Sequence, residues 1–106
     1  MAWIYIVIAG LLEVAWAIGL KHSAGFSKFW PSVWTIIGMI ASFIVLAQGV
    51  KTLPVGTGYA VWTGIGAVGT AVLGIVIFHE SRDPVRLACL ALIIIGIVGL
   101  KLVSPE

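Results

Sequence analysis

Charged side chains are missing from most of this sequence. Residues 29–50, 52–79 and 87–100 carry none, and Glu13 is the single charge between Met1 and Lys21. A lipid hydrocarbon layer about 30 Å thick is crossed by roughly 20 apolar residues of α-helix, each rising about 1.5 Å. Four such segments use up most of a 106-residue chain and leave only short loops. The composition agrees, with 61% of residues hydrophobic and 9% charged, where a soluble domain has about 45–50% and about 25%. So little charge cannot clothe a water-facing surface, and a soluble globular protein is excluded. Each crossing must be helical, because lipid satisfies no backbone polar group and these runs are too long for barrel strands. The expected fold is an all-α membrane protein, with residues 1–106 forming a single four-helix transmembrane domain.

The spans read as about 2–20, 31–50, 54–78 and 84–103. The last three each open with a proline (Pro31, Pro54 and Pro84), whose missing N–H would go unsatisfied in the first turn anyway. Asp83 is placed to cap the fourth helix with its charge near the positive end. That span is the marginal one, with an uncharged core of only 14 residues from Leu87 to Leu100, so Arg86 and Lys101 are expected to snorkel at its two ends; a re-entrant or interfacial segment is the alternative. The first span mimics a signal peptide through Ala15-Trp16-Ala17. It lacks a basic start, is too long and contains an acid, so a retained helix is expected.

An even number of spans puts both termini on one side. Lys51 and Lys101 collect there, with the α-amino group as a possible third charge; Lys21, Lys28, Arg82 and Arg86 collect on the other. The positive-inside rule takes only a weak bias from such numbers. Two readings stay open: one orientation poorly encoded, or copies inserting both ways. Four short helices are expected to pack as a solid bundle, with little room inside one chain for a water-lined path of substrate size. Any path must then lie between protomers, which makes a homodimer the minimum assembly.

Glu13 lies near the middle of the first span. A carboxylate at that depth costs about 2.5–3.5 kcal/mol on insertion scales, and no basic residue lies at comparable depth to pair with it. In so apolar a setting a carboxyl can exchange a proton for a cation near neutral pH. A second Glu13 across a dimer would couple the two titrations. The competing reading is a structural acid held neutral in a helix interface. Gly10, Glu13 and Trp16 share one helical face, with Gly10 giving room for close approach. Tyr59, Trp62, Gly66 and Gly69 form a stripe on the third span, and Ser42 is the most central hydroxyl of the second. Such hydroxyl and indole donors could hold the carboxylate, and the aromatic faces could bind a cation. The plainer reading of Tyr59 and Trp62 is packing or a lipid belt, and the belt reading is preferred for Trp3, Tyr5, Trp30 and Trp34.

Gly56, Gly58, Gly64, Gly66, Gly69 and Gly74 crowd the third span, suiting either close packing or a bend. Gly96 and Gly99 lie among Ile and Leu in the fourth, which suits helix or protomer contact. The Lys and Arg residues sit at helix ends and in loops, where they suit headgroups better than nucleic acid. Cys89 is isolated, His22 and His79 lie in separate loops, and no paired acids or metal-ligand spacing appear. No enzyme activity, metal or cofactor is therefore expected.

The runs GLLEVAWAIGLK (residues 10–21), KTLPVGTGYAVWTGIGAVG (51–69), the Glu80-Ser81 loop and IIGIVGLK (94–101) resemble the small multidrug resistance transporters. The likeness spans essentially the whole chain. Glu13-x-x-Trp16-Ala17 resembles the guanidinium-exporting branch in particular, since the polyspecific drug-exporting branch lacks that tryptophan. The resemblance implies an antiparallel, dual-topology homodimer in a bacterial inner membrane, exchanging protons for a cytosolic cation. It implies Glu13 of both protomers as the shared proton and cation site. Gly10, Trp16, Ser42, Tyr59 and Trp62 would surround it, and the fourth span would supply the dimer seam through Leu92, Gly96 and Gly99. The chain departs from the family pattern at Gly58, where alanine is expected, and at His79.

Guanidinium is planar, permanently charged and matched to a carboxylate by paired N–H···O bonds. A carboxylate fixed by side-chain donors favours such a compact cation over a bulky apolar one. The rivals are export of hydrophobic quaternary ammonium compounds and, from a different class, a non-transporting membrane subunit whose Glu13 only pins helix packing.

Overall fold

The computed structural model describes residues 2–103 and contains four α-helices: α1 (Ala2–His22), α2 (Phe29–Gly49), α3 (Val55–Phe78) and α4 (Pro84–Val103). No strand occurs among the described residues. All four helices are long and apolar enough to cross a membrane. Their ends fall within two residues of the sequence expectation, but the prolines differ from it. Only Pro84 opens a helix; Pro31 stands third in α2, and Pro54 precedes α3. Each remains in or beside a first turn, where no intrahelical N–H bond is lost.

The connections explain where the helices stop. At the end of α1, the fully buried Ser23 donates its hydroxyl to the Leu20 carbonyl (2.7 Å) and accepts the Phe26 N–H (3.1 Å). Ala24, Gly25 and Phe26 then turn through left-handed φ values of 49°, 74° and 67°. At the end of α3, His79 is left-handed (φ 54°), and the Glu80 N–H closes on the Gly74 carbonyl at 3.2 Å. Asp83 caps α4 as expected, accepting the Val85 N–H at 2.7 Å.

The helices do not form the solid bundle expected above. They lie as a flattened slab whose Cα atoms span 43 × 34 × 16 Å. α1 packs against both α2 and α3, α2 and α3 scarcely meet, and the α4 backbone runs close to that of α3 alone, with Lys101 reaching over the Trp3 ring of α1. The bundle rule describes proteins in water, where every apolar stripe must find a protein partner. Between helices in lipid that drive is absent, and association rests on close fit of small residues. The core accordingly sits along α1: Ile6 is fully buried and abuts Gly49 of α2, and Ala9, Val61 and Trp62 are buried near it. α4 has no buried residue. Its Ile93 and Ile97 rest on Gly64 of α3, while a methyl added at Gly96 or Gly99 would meet nothing.

Candidate functional site

Glu13 faces α3, and a methyl placed on Gly66 would overlap its carboxyl group. Glycine at this position lets the carboxyl lie directly against the α3 backbone. Oε1 of Glu13 is buried and has no hydrogen-bond partner. Glu13 also lines an open groove of about 490 Å³ between α1 and α3. The walls of this groove include Thr63, Thr70 and Gly74, and Lys21, Glu80 and Arg86 lie towards the helix ends. Glu13 is thus its only acid at mid-helix depth.

A second group of candidate residues is joined by hydrogen bonds. The Trp62 indole N–H donates to Ser42 Oγ at 2.9 Å, and the Ser42 hydroxyl donates to the Ala9 carbonyl at 2.8 Å. Both side chains are buried. Ala9 lies one turn before Glu13, so its carbonyl is the one that an α-helix pairs with the Glu13 N–H. This relay ties α3 and α2 to the backbone turn that carries the acid. Tyr59 is largely exposed and sets its ring 5.5 Å from that of Trp62, with Phe43 equally close on the other element.

Trp16 leans on α2, where its Cβ would lie 2.8 Å from a methyl added at Gly38. Its Nε1 is buried without an acceptor. Gly10 provides the close approach anticipated from sequence, receiving Ile65 of α3. The structure therefore joins Ser42 to Trp62 and sets the Tyr59 ring, tilted, beside that of Trp62. Within one chain it brings none of these donors to Oε1 of Glu13. Leu92, Gly96 and Gly99 lie on the face of α4 turned away from α3, with Leu92 66% exposed.

Sequence reasoning passes over four features of this region. Gly38 carries no signal beyond being a glycine in an apolar helix. Thr63 and Thr70 could be found from their spacing with Gly66 and Gly74. Trp34, read from sequence as a belt residue, donates its indole N–H to the Ala15 carbonyl at 3.0 Å and so links α2 to α1. Glu80 and Arg86 form an ion pair, with Nη2 to Oε1 at 2.8 Å, that their loop placement alone does not reveal.

Residues 1–93 match the family description "Small Multidrug Resistance protein". This chain belongs to the small multidrug resistance family. Curated relatives align with it almost from end to end. A protein of Escherichia coli K12 named "Guanidinium exporter" is 64% identical over 102 residues, covering 96% of this chain and 97% of its own length. One from Yersinia pestis with the same name is 62% identical over 104 residues, covering 98% and 100%. A third, from Salmonella typhimurium LT2, is 58% identical over 102 residues, covering 96% and 97%. With its four apolar helices, this small multidrug resistance protein is a multi-pass membrane protein of bacterial type.

Proposed function

We propose that this small multidrug resistance protein exports guanidinium and related small guanidinyl cations from the cytosol in exchange for protons, with Glu13 as the shared binding group. The observation that carries the reading is the Glu13 carboxyl itself: mid-helix, set against Gly66, lining an open groove, with one buried oxygen unpartnered. An oxygen left without a hydrogen bond in an apolar setting is costly. A proton or a cation with N–H donors relieves that cost, and the two cannot occupy the group together. Exchange then follows from competition. Ionised Glu13 takes the cation from the cytosolic side, and the assembly reorients. Protonation of the same carboxyl then releases the cation on the other side, and the protonated form returns. The relatives' name supplies the substrate class, and the planar fork of guanidinium suits a carboxylate.

The working unit in this reading is an antiparallel homodimer. In one chain the Glu13 groove is open to the surroundings, so a second copy is needed to enclose it. The outer face of α4, with Leu92, Gly96 and Gly99, provides the seam, its glycines open to close approach. Facing grooves would bring two Glu13 carboxyls together, surrounded by Gly10, Trp16, Ser42, Tyr59 and Trp62. The free Nε1 of Trp16 supplies a donor to this surround, and the Trp62–Ser42 relay holds the turn before Glu13. The weak bias of loop charge permits copies of both orientations.

Transport in proteoliposomes, followed with a pH-sensitive dye, tests this reading. Guanidinium is expected to drive proton movement, and Glu13→Gln to abolish it while leaving the purified assembly's size unchanged. A protein that carries a bulky quaternary ammonium and ignores guanidinium would overturn the substrate assignment. Undiminished exchange by Glu13→Gln would overturn the mechanism and leave Glu13 a packing residue.

A further inference from the structure

The loop between α3 and α4 already holds a guanidinium group. Arg86 places Nη2 2.8 Å from Oε1 of Glu80 and Nη1 3.0 Å from the carbonyl oxygen of Ser81. Two nitrogens of one planar fork thus rest on two acceptors, the geometry that distinguishes a guanidinium from a simple ammonium. The Glu80 carboxyl is folded against the α3 backbone, where a methyl on Gly74 would come within 2.6 Å of it. Glu13 is seated on Gly66 in the same manner. Gly66, Thr70 and Gly74 stand four residues apart, one above another on a single face of α3, and all three line the groove that also reaches Glu13, Glu80 and Arg86. The two glycine seats are about 12 Å apart at a rise of about 1.5 Å per residue, with Thr70 between them. The deep end has a buried, unpartnered carboxylate oxygen; the shallow end has a carboxylate with its guanidinium in place.

We propose that Glu80 and the Ser81 carbonyl form an outer guanidinium site at the mouth of the Glu13 groove, which the side chain of Arg86 occupies until an incoming cation replaces it. The proposal rests on the reading of the chain as a guanidinium exporter and adds the route by which the cation reaches Glu13. The replacement exchanges like for like: one guanidinium leaves the two acceptors, another takes them, and the net charge at Glu80 is unchanged. Arg86 and Glu80 remain 32% and 41% accessible, and an ion pair so exposed to solvent is weak enough to open. The released Arg86 then adds a positive charge at the mouth, which disfavours return of the cation and favours its transfer inward to Glu13. Lys21, the other cation lining the groove, is held with Nζ 5.6 Å from the centre of the Phe78 ring and has no fork with which to compete for the two acceptors.

Two measurements test the site, one of them independent of transport. In the full-length Glu13→Gln protein in nanodiscs, guanidinium chloride is expected to shift the amide signals of Ser81, Val85 and Arg86 and the Arg86 Nε–H signal, saturably. Tetramethylammonium chloride at equal concentration, which has charge but no N–H, is expected to leave them in place. Adding Glu80→Gln is expected to abolish the response, and Glu80→Asp to restore part of it. A response common to both salts, one that survives Glu80→Gln, or no response at all would overturn the outer site. In proteoliposomes, Glu80→Gln is expected to raise the half-saturating guanidinium concentration about tenfold, the size typical of one charge-assisted hydrogen bond, and by a larger factor than it lowers the maximal rate. Arg86→Gln, which removes the internal competitor, is expected to lower that concentration. Identical half-saturation in all three proteins would also overturn the site. The two readings fail separately. Guanidinium transport by the wild type without the amide shifts rejects the outer site alone, whereas shifts in a wild type that moves no guanidinium reject the exporter.

Discussion

Glu13 and Gly66 make a pair in which the glycine decides where the acid can be. A methyl at residue 66 would overlap the far end of a flexible side chain, so the side chain can move aside without parting the helices. Gly66→Ala is expected to leave thermal stability in detergent nearly unchanged and to slow guanidinium exchange at least about tenfold, because small displacements of a reacting group are costly. Gly38→Ala provides the contrast. There the added methyl meets Cβ and Cα of Trp16, which cannot rotate away, so α1 and α2 must separate and the melting temperature is expected to fall. Ser42→Ala would strand the Trp62 indole N–H, which is bonded only through Ser42 Oγ. Interhelical hydrogen bonds in membranes are worth about 0.6 kcal/mol on average and up to about 1.7 kcal/mol. A loss in the upper part of that range is expected in SDS-unfolding titrations, since both residues are buried. Glu13 is legible in the sequence because it is the lone charge in a long apolar run, where a carboxylate is costly. The Ser42–Trp62 bond is not, because the register between two helices depends on packing that neither sequence stretch contains.

Among the elements, α4 differs from the other three in its packing. Its backbone runs close to that of α3 alone, it reaches α1 through Lys101 over the Trp3 ring, and it has no buried residue. Its two glycine environments make opposite predictions. Gly64 of α3 receives Ile93 and Ile97 of α4, so Gly64→Leu is expected to detach α4 and lower the stability of each chain. Gly96 and Gly99 face open space. The double variant Gly96→Leu/Gly99→Leu is expected to keep the helical circular dichroism of the wild type while reducing inter-subunit crosslinking. Unaltered crosslinking would place the seam elsewhere. The helices themselves are legible from the long uncharged runs, and the Asp83 cap from its position before Pro84. The left-handed turns at Ala24, Phe26 and His79 are not, since few residues other than glycine adopt that conformation and none of the three marks it in the sequence. They persist where neighbouring bonds hold them, through Ser23 in the first loop and the Gly74 carbonyl in the last.

At the scale of the whole molecule, the expected helices assemble into an unexpected shape. Residue patterning gives the number and length of helices, but in lipid it gives no instruction to close them around a common axis. The slab places Lys21 beside Phe78 at one end and Lys101 over the Trp3 ring at the other. The two ends therefore carry the loop charges in the division derived from sequence, a small imbalance on which orientation depends. Ser27→Lys adds a positive charge to the end that already has more, beside Lys21, Lys28, Arg82 and Arg86. It is expected to bias insertion towards one orientation, read by cysteine labelling from each side of the membrane, and to reduce transport if both orientations are needed. Equal labelling from both sides after this change would show that loop charge does not control insertion.

The packing order also bears on biosynthesis. When α2 leaves the ribosome, α1 is already available to it; α3 finds α1 in turn, and α4 needs only α3. Each of α2, α3 and α4 therefore has a docking partner in the membrane before it arrives. Since membrane helices can insert and then associate as separate steps, a break in the 79–83 connection should spare this sequence of docking events. The chain supplied as two fragments, α1 to α3 and α4, would then meet along Gly64 rather than through the missing loop.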